Sequence, residues 1–364
     1  MSKILNYIRP GVVFGSDVQK IFSIAKKQSF AIPAINCIGT DSINAVLETA
    51  KTVNSPVIIQ FSYSGSQFIV GEGLKEDSSE EEKNNAAVIG AIAGAKYVHF
   101  ISKHYGIPVI LHTDHCAKNL LPWIDKLLDF GKNFFIKNKK PLFSSHMIDL
   151  SAETLEENIQ ISQRYLEKMS KIGMTLEVEL GLTGGEEDGI NNSNLNKKFF
   201  YSNPKDIYYA YKKLQLIDNK FTIAAAFGNV HGVYSPGNVK LMPNILKEAQ
   251  RYVKEKNRSL NNKIVSFVFH GGSGSSLEDI RKAIKYGVIK MNVDTDIQWA
   301  TWQGVSHFYK KNKEYLHQQI GSSHDKNQPN KKYYDPRKWL RSAQISIINR
   351  LKQTFSDLNC IDRL

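Results

Sequence analysis

Residues 108–115 read PVILHTDH, an apolar run that closes on an acid and a histidine. The same form recurs along the chain at 30–36 (FAIPAIN), 56–62 (PVIIQFS), 141–150 (PLFSSHMIDL), 173–181 (GMTLEVELG), 222–229 (TIAAAFGN), 265–271 (VSFVFHG) and 288–295 (VIKMNVDT). Near-continuous apolar runs with β-branched residues suit parallel strands covered on both faces. Helical patterns lie between them. Ile43, Val46, Leu47 and Ala50 share a face after the first run, and Leu155, Ile159, Leu166 and Met169 share one after the fourth. After the seventh, Ser276 stands three residues before Asp279, an apolar stripe follows, and Gly287 closes it: a helix cap, a buried face and a stop. Eight strand–helix units predict an α/β fold, a TIM (β/α)₈ barrel; a doubly wound sheet is the competing arrangement, because periodicity does not show closure.

Outside the eight units, residues 17–29 read as an N-terminal helix, 75–85 as a polar surface loop and 182–203 as a long Gly/Asn/acidic loop. Residues 321–336 are polar and precede an amphipathic helix near 338–358. The expected organisation is one domain over 1–364, with additional C-terminal helices from about 296 to 364.

Apolar residues at 41% and charged residues at 23% fit a globular chain with a sizeable core, and no apolar run is long enough to span a bilayer. The opening MSKILNYIRPG has no apolar stretch with a small-residue cleavage site, so no secretion signal is read. Cys37, Cys116 and Cys360 are odd in number and far apart, which argues against a disulfide framework and for a reducing cytoplasm. The net charge of +13 comes from lysines spread along the chain without a basic stripe. Nucleic acid is therefore not expected as a partner; the positive field favours an anionic small substrate.

Each expected strand ends in a polar residue: Asn36, Ser62, Asp114 with His115, Asp149, Glu179, Asn229 with His231 just beyond, His270, and Asn292 with Asp294. In a barrel these ends converge on the catalytic face. Helix capping accounts for Ser62 and Asn292, but not for three histidines and a glutamate. His115, His231 and His270 form the expected metal site, since neutral imidazoles leave a zinc ion its full charge and an open position. His112 and His146 lie in strands and support the ligands from behind. Asp114, beside a ligand, either supports a histidine or moves a substrate proton. Glu177 and Glu179 share one strand face, and Glu179 is nearer the strand end. The segment GGEEDG (184–189) is either a solvated acidic turn or a lid that delivers a carboxylate base. HGGSGSS (270–276), between a strand and a helix, and NVDT (292–295) stand where barrels hold phosphate. Arg337, with Lys331 nearby, offers a forked contact for a second phosphate.

These stretches, with HTDHCAK, PLFSSHMIDLS, ELGLTGGEEDG, FGNVHGVY, VFHGGSGS, KMNVDTDIQWAT and QPNKKYYDPRKWL, resemble the long (class IIA) form of the zinc-dependent class II fructose-bisphosphate aldolases, in the family's order and nearly from end to end. The resemblance implies a lyase of glycolysis and gluconeogenesis that reversibly splits fructose 1,6-bisphosphate into dihydroxyacetone phosphate and glyceraldehyde 3-phosphate through a zinc-stabilised enediolate. It implies that His115, His231 and His270 hold the catalytic zinc, and that Asp149 and Glu179 belong to a second metal position. Asp114 matches the acid acting on the aldehyde-derived oxygen, and Glu187 the base at the ketone phosphate's reacting carbon. Ser62 matches a contact to the aldehyde half. Gly232, Gly271, Gly272, Ser273, Asn292, Val293, Asp294 and Thr295 match the dihydroxyacetone phosphate site, and Arg337 the far phosphate contact. A monovalent cation near the phosphate site and a homodimer are also implied. The chain departs from the family at Tyr63-Ser64-Gly65, where relatives commonly have Asn and Gly, and in the apparent length of 75–85. The nearest alternative is an aldolase for another ketose bisphosphate, such as tagatose 1,6-bisphosphate. A zinc hydrolase is disfavoured, because the first strand lacks the paired histidines with which many begin.

Overall fold

The computed structural model describes residues 3–74, 79–187, 190–191, 200–232 and 240–364, with the backbone alone at 185–187, 190–191 and 231. Eight parallel strands form the centre: β1 (Ile32–Asn36), β2 (Val57–Phe61), β3 (Pro108–Thr113), β4 (Ser145–Ile148), β5 (Thr175–Leu180), β6 (Phe221–Ala225), β7 (Phe267–Phe269) and β8 (Val288–Val293). Each pairs with the next, and β8 pairs back onto β1 with Lys290 opposite Ile32 and Asn292 opposite Ala34. The sheet is therefore closed, which decides for the barrel over the doubly wound sheet.

Helices cover the outside after each strand. Thr40–Thr52 buries Ile43, Val46, Leu47 and Ala50, the face read from sequence. Leu155–Ser170 is started by Thr154, whose side chain accepts from Glu157 N, and Leu277–Lys285 by Ser276, which accepts from Asp279 N. One apolar cluster runs from Ile4 to Leu364 and fills the space between barrel and helices. The N-terminal helix, Ser16–Gln28, and the last helix, Pro336–Asp357, contribute Ile21 and Leu351 to it.

One expected loop is a helix. Residues 80–85 open the long helix Glu80–Tyr105, with only 75–78 outside the described residues. Ser79 accepts from Glu82 N while the Glu82 carboxylate accepts from Ser79 N, and three acids stand in the first turn. The charged run that read as a loop is a reciprocal cap on a favourable helix dipole. The 182–203 segment is also partly ordered into strand. Gly184–Glu187 pairs in parallel with Val230–His231 and antiparallel with Ile190–Asn191. Residues 188–189 and 192–199 lie outside the described residues.

The barrel interior is not purely apolar. Period two sends Gln60, His112, Glu177, Thr222 and Lys290 inward, all almost fully buried. Thr113 faces the opposite way, with its Oγ1 2.7 Å from His146 Nδ1, so His146 packs against Thr113 and Phe143 and not behind the metal-site histidines as its strand position predicts.

Candidate active site

The strand ends meet at one mouth of the barrel. His115 follows β3 with a φ of 35°, a left-handed backbone that a non-glycine residue adopts at a cost of about 1 kcal/mol or more. The turn aims its Nδ1 at Asp149 Oδ2, 3.1 Å away beyond β4, and at Glu179 Oε2, 3.5 Å away on β5. His270, just past β7, places Nδ1 3.4 Å from the same Glu179 oxygen. The two imidazole rings stand 4.7 Å apart, edge to face. Donor atoms of Asp114, His115 and His270 all lie within 4.8 Å of one another, as do those of His115, Asp149 and Glu179.

Asp114 is buried, and both its oxygens accept from amides: Oδ1 from Asn292 Nδ2 at 2.9 Å, Oδ2 from Asn36 Nδ2 at 3.1 Å. Asn36 is held in turn by Gln60 Nε2 at 2.5 Å. Asn292 is thus not a helix cap but a strand residue aimed across the mouth. Ser62 is a cap: its Oγ accepts from Gly65 N at the start of helix Tyr63–Val70. The Tyr63 that departs from the family pattern packs edge-on against Trp123.

Charges follow the geometry. Burial works to raise the Asp149 carboxyl, but the His115 ring and two bonds from Ser151 outweigh it and hold it well below the usual carboxylate range. Burial works to lower His270, yet the Glu179 charge and bonds to Glu177 and Glu179 push it up to about 9. Burial, reinforced by Lys290, keeps His112 well below its ordinary value, and burial alone takes His146 down to about 3.

Beside this cluster, Gly271 follows His270 with a φ of 60°, and a side chain there would meet Val230 O at 2.4 Å. Gly272 lies against Met291, where a Cβ would stand 2.6 Å from its sulfur. The backbone contact and positive φ at Gly271 need glycine, and at Gly272 a larger residue would have to displace the Met291 side chain. They lay the 270–276 loop beside the end of β8, where Val293, Asp294 and Thr295 lead into helix Thr295–Asn312. Ser273 lies in this loop, and Gly232 follows Val230–His231 with a φ of 93°. Val230 also touches the space above Gly184, so it joins the acidic segment to the glycine loop.

Two expected residues fall outside the described side chains. His231 is placed by its backbone, opposite Gly185, and Glu187 by its backbone in Gly184–Glu187. Arg337 is not gathered into the cluster: its exposed guanidinium binds Asp335 at 2.6 Å at the start of the last helix. Lys290, Gln60, Thr183 and Ser151 were not singled out from sequence. Thr183 Oγ1 donates to Glu179 Oε1 at 2.7 Å, and Lys290 Nζ binds both oxygens of Glu177 at 2.9 and 2.8 Å. A lysine inside VIKMNV, two residues before Asn292, was the available signal.

The family model described as "Fructose-bisphosphate aldolase class-II" matches residues 16–363. This chain belongs to the class II fructose-bisphosphate aldolase family. It is 59% identical over 364 residues to the fructose-bisphosphate aldolase class 2 of Escherichia coli (strain K12), covering 100% of both chains. It is 61% identical over 362 residues to that of Buchnera aphidicola subsp. Schizaphis graminum, again over 100% of both. The crystal structure of fructose-bisphosphate aldolase from Campylobacter jejuni matches with a TM-score of 0.90 and 52% identity over the whole of each chain. Class II aldolases are metal-dependent, and the donor set here fits a divalent ion: two imidazoles and three carboxylates converge in two overlapping clusters that share His115. Among the described residues of this class II aldolase, no helix is long and apolar enough to cross a membrane.

Proposed function

We propose that this class II aldolase uses His115, His231 and His270 to hold zinc, and Asp114 and Glu187 to move protons, in the reversible cleavage of fructose 1,6-bisphosphate. The products are dihydroxyacetone phosphate and glyceraldehyde 3-phosphate. The observation that carries this reading is the meeting of Asp114 and His115, at the end of one strand, with His270, from a distant part of the chain, within 4.8 Å. Zinc, when bound, supplies Lewis-acid polarisation of the substrate's ketone oxygen. In cleavage, Asp114 takes the proton from the hydroxyl that becomes the aldehyde oxygen, and in synthesis it returns that proton. Asn36 and Asn292 fix the carboxylate in the orientation this transfer needs. Glu187, on the acidic segment anchored by Val230–His231, exchanges the proton at the ketone phosphate's reacting carbon.

Asp149 and Glu179 provide a second metal position; the 3.5 and 3.4 Å from Glu179 Oε2 to His115 and His270 support a reading in which Glu179 serves either one. Backbone N–H groups of Gly271, Gly272, Ser273, Asp294 and Thr295, with Gly232, Asn292 and Val293 around them, receive the phosphate of dihydroxyacetone phosphate, and a monovalent cation binds nearby. Ser62 contacts the aldehyde half. Arg337 exchanges Asp335 for the far phosphate. The chain works as one domain, in the cytoplasm and as a homodimer; exposed Trp299, Trp302 and Ile345 line one surface hollow suited to self-association.

Cleavage of fructose 1,6-bisphosphate and of tagatose 1,6-bisphosphate, measured with chelator and after zinc add-back, tests the reading. Zinc-restored cleavage with preference for the fructose substrate is expected. Equal rates without metal would remove zinc from the mechanism, and preference for tagatose would reassign the substrate.

A further inference from the structure

Beneath the mouth of the barrel lies a charged chain that the proton transfers do not use. Lys290 on β8 and Glu177 on β5 are both 2% exposed, and Lys290 Nζ stands 2.9 and 2.8 Å from the two Glu177 oxygens. Glu177 Oε1 is also 2.8 Å from His270 Nε2. Thr222 Oγ1 donates to Oε2 at 3.5 Å, and His112 Nε2 stands 3.8 Å from the same oxygen. An ion pair this deep is not explained by stability, because apolar residues of similar volume hold a core as well or better.

Hydrogen-bond chemistry supplies the reason. A lysine ammonium only donates, and a carboxylate bound to it on both oxygens only accepts. Nε2 of His270 must therefore donate to Glu177. In the neutral ring the lone pair then sits on Nδ1, the nitrogen 3.4 Å from Glu179 and directed to the mouth. We propose that Lys290 is a positioning residue: by fixing Glu177, it sets the tautomer and ring angle of His270 and so readies Nδ1 for the metal. Lys290 acts through Glu177, to which its Nζ is bound. This inference rests on the zinc reading of His270.

The test compares wild type with Lys290→Met, Glu177→Gln and the apolar pair Lys290→Met/Glu177→Leu. Zinc affinity is measured by chelator competition on protein shown to be folded by circular dichroism, and ring geometry by the visible absorption of the Co²⁺-substituted protein. Each variant is expected to bind zinc about 10- to 100-fold more weakly, as for loss of an outer partner of a ligating histidine, with a displaced Co²⁺ band. Glu177→Gln keeps the side-chain volume and serves if the apolar pair does not fold. Folded variants with wild-type zinc affinity and an unchanged Co²⁺ spectrum would overturn the role of Lys290. A wild-type protein without zinc-dependent cleavage would instead overturn the reading beneath it, so the two failures are separable.

Discussion

Asn292 Nδ2 stands 2.9 Å from Asp114 Oδ1, although 178 residues separate the two in sequence. With Asn36 on the second oxygen, the carboxylate cannot rotate without losing a charge-assisted bond. Such a bond contributes about 1.5–3 kcal/mol. Asn292→Ala should therefore lower kcat by about 10- to 100-fold, or more if the amide also touches substrate, while zinc content stays at the wild-type level. Steady-state kinetics with metal analysis on one sample checks this. An unchanged kcat would show that Asp114 needs no orientation from Asn292.

His115 carries two demands: a left-handed backbone and a ring shared between Asp149 and Glu179. His115→Ala leaves both carboxylates facing one another without the imidazole. Zinc retention and cleavage should both be lost, and added zinc should not restore the rate. Dialysed protein that keeps stoichiometric zinc would remove His115 from the ligand set.

Glu187→Ala separates metal from proton. The variant should retain zinc, because the residue lies on the acidic segment and not at a barrel strand end. Exchange of the dihydroxyacetone phosphate proton with solvent should fall about 10²- to 10⁴-fold. NMR in deuterated solvent follows that exchange directly, and full exchange would take the base role away from Glu187.

The strand ends were legible in the sequence because closure forces them to one face: Asp114, His115, Glu179 and His270 could be nominated from position alone. Their partners were not. Lys290 and Glu177 are 113 residues apart, and although Glu177 shares a strand face with Glu179 in the sequence, nothing pairs it with Lys290 until the sheet closes. Asn292 reads as a helix cap because it precedes a helix, yet its amide spans the barrel mouth. The start of Glu80–Tyr105 was hidden because a capping box of Ser79 and Glu82 has the composition of a loop. Local chemistry is ambiguous wherever a polar residue's partner is far along the chain.

Acid should destabilise the fold through His146. Its ring is buried against Phe143, accepts or donates to Thr113 Oγ1, and has its pKa pushed down to about 3 by burial. The folded state therefore resists the proton that the unfolded chain takes up near pH 6.5. The stabilising contribution is complete above that pH and is lost as pH falls toward about 3, at roughly 1.4 kcal/mol per pH unit. Urea unfolding of wild type and His146→Gln, compared between about pH 7.5 and about pH 5, should show a shallower loss in the variant. Parallel curves would mean that His146 is not a source of acid sensitivity.

Gly90 ties stability to the mouth of the barrel. It lies in helix Glu80–Tyr105, where alanine is preferred over glycine by about 1 kcal/mol. A Cβ at Gly90, however, would stand 1.8 Å from Ser66 O and 2.8 Å from Ser66 C. Those are backbone atoms of helix Tyr63–Val70, so no side-chain rotation relieves the clash. Overpacking of this kind costs about 1–3 kcal/mol, enough to exceed the helical gain. The helix that must yield begins at Ser62, whose Oγ and carbonyl bind Gly65 N and Ser66 Oγ. Gly90→Ala should thus lower Tm and also raise KM for the bisphosphate, because Ser62 moves with its helix. Gly73→Ala is the control, since a Cβ there meets nothing within 4 Å. A lowered Tm with unchanged KM would confine Gly90 to packing and detach Ser62 from substrate binding.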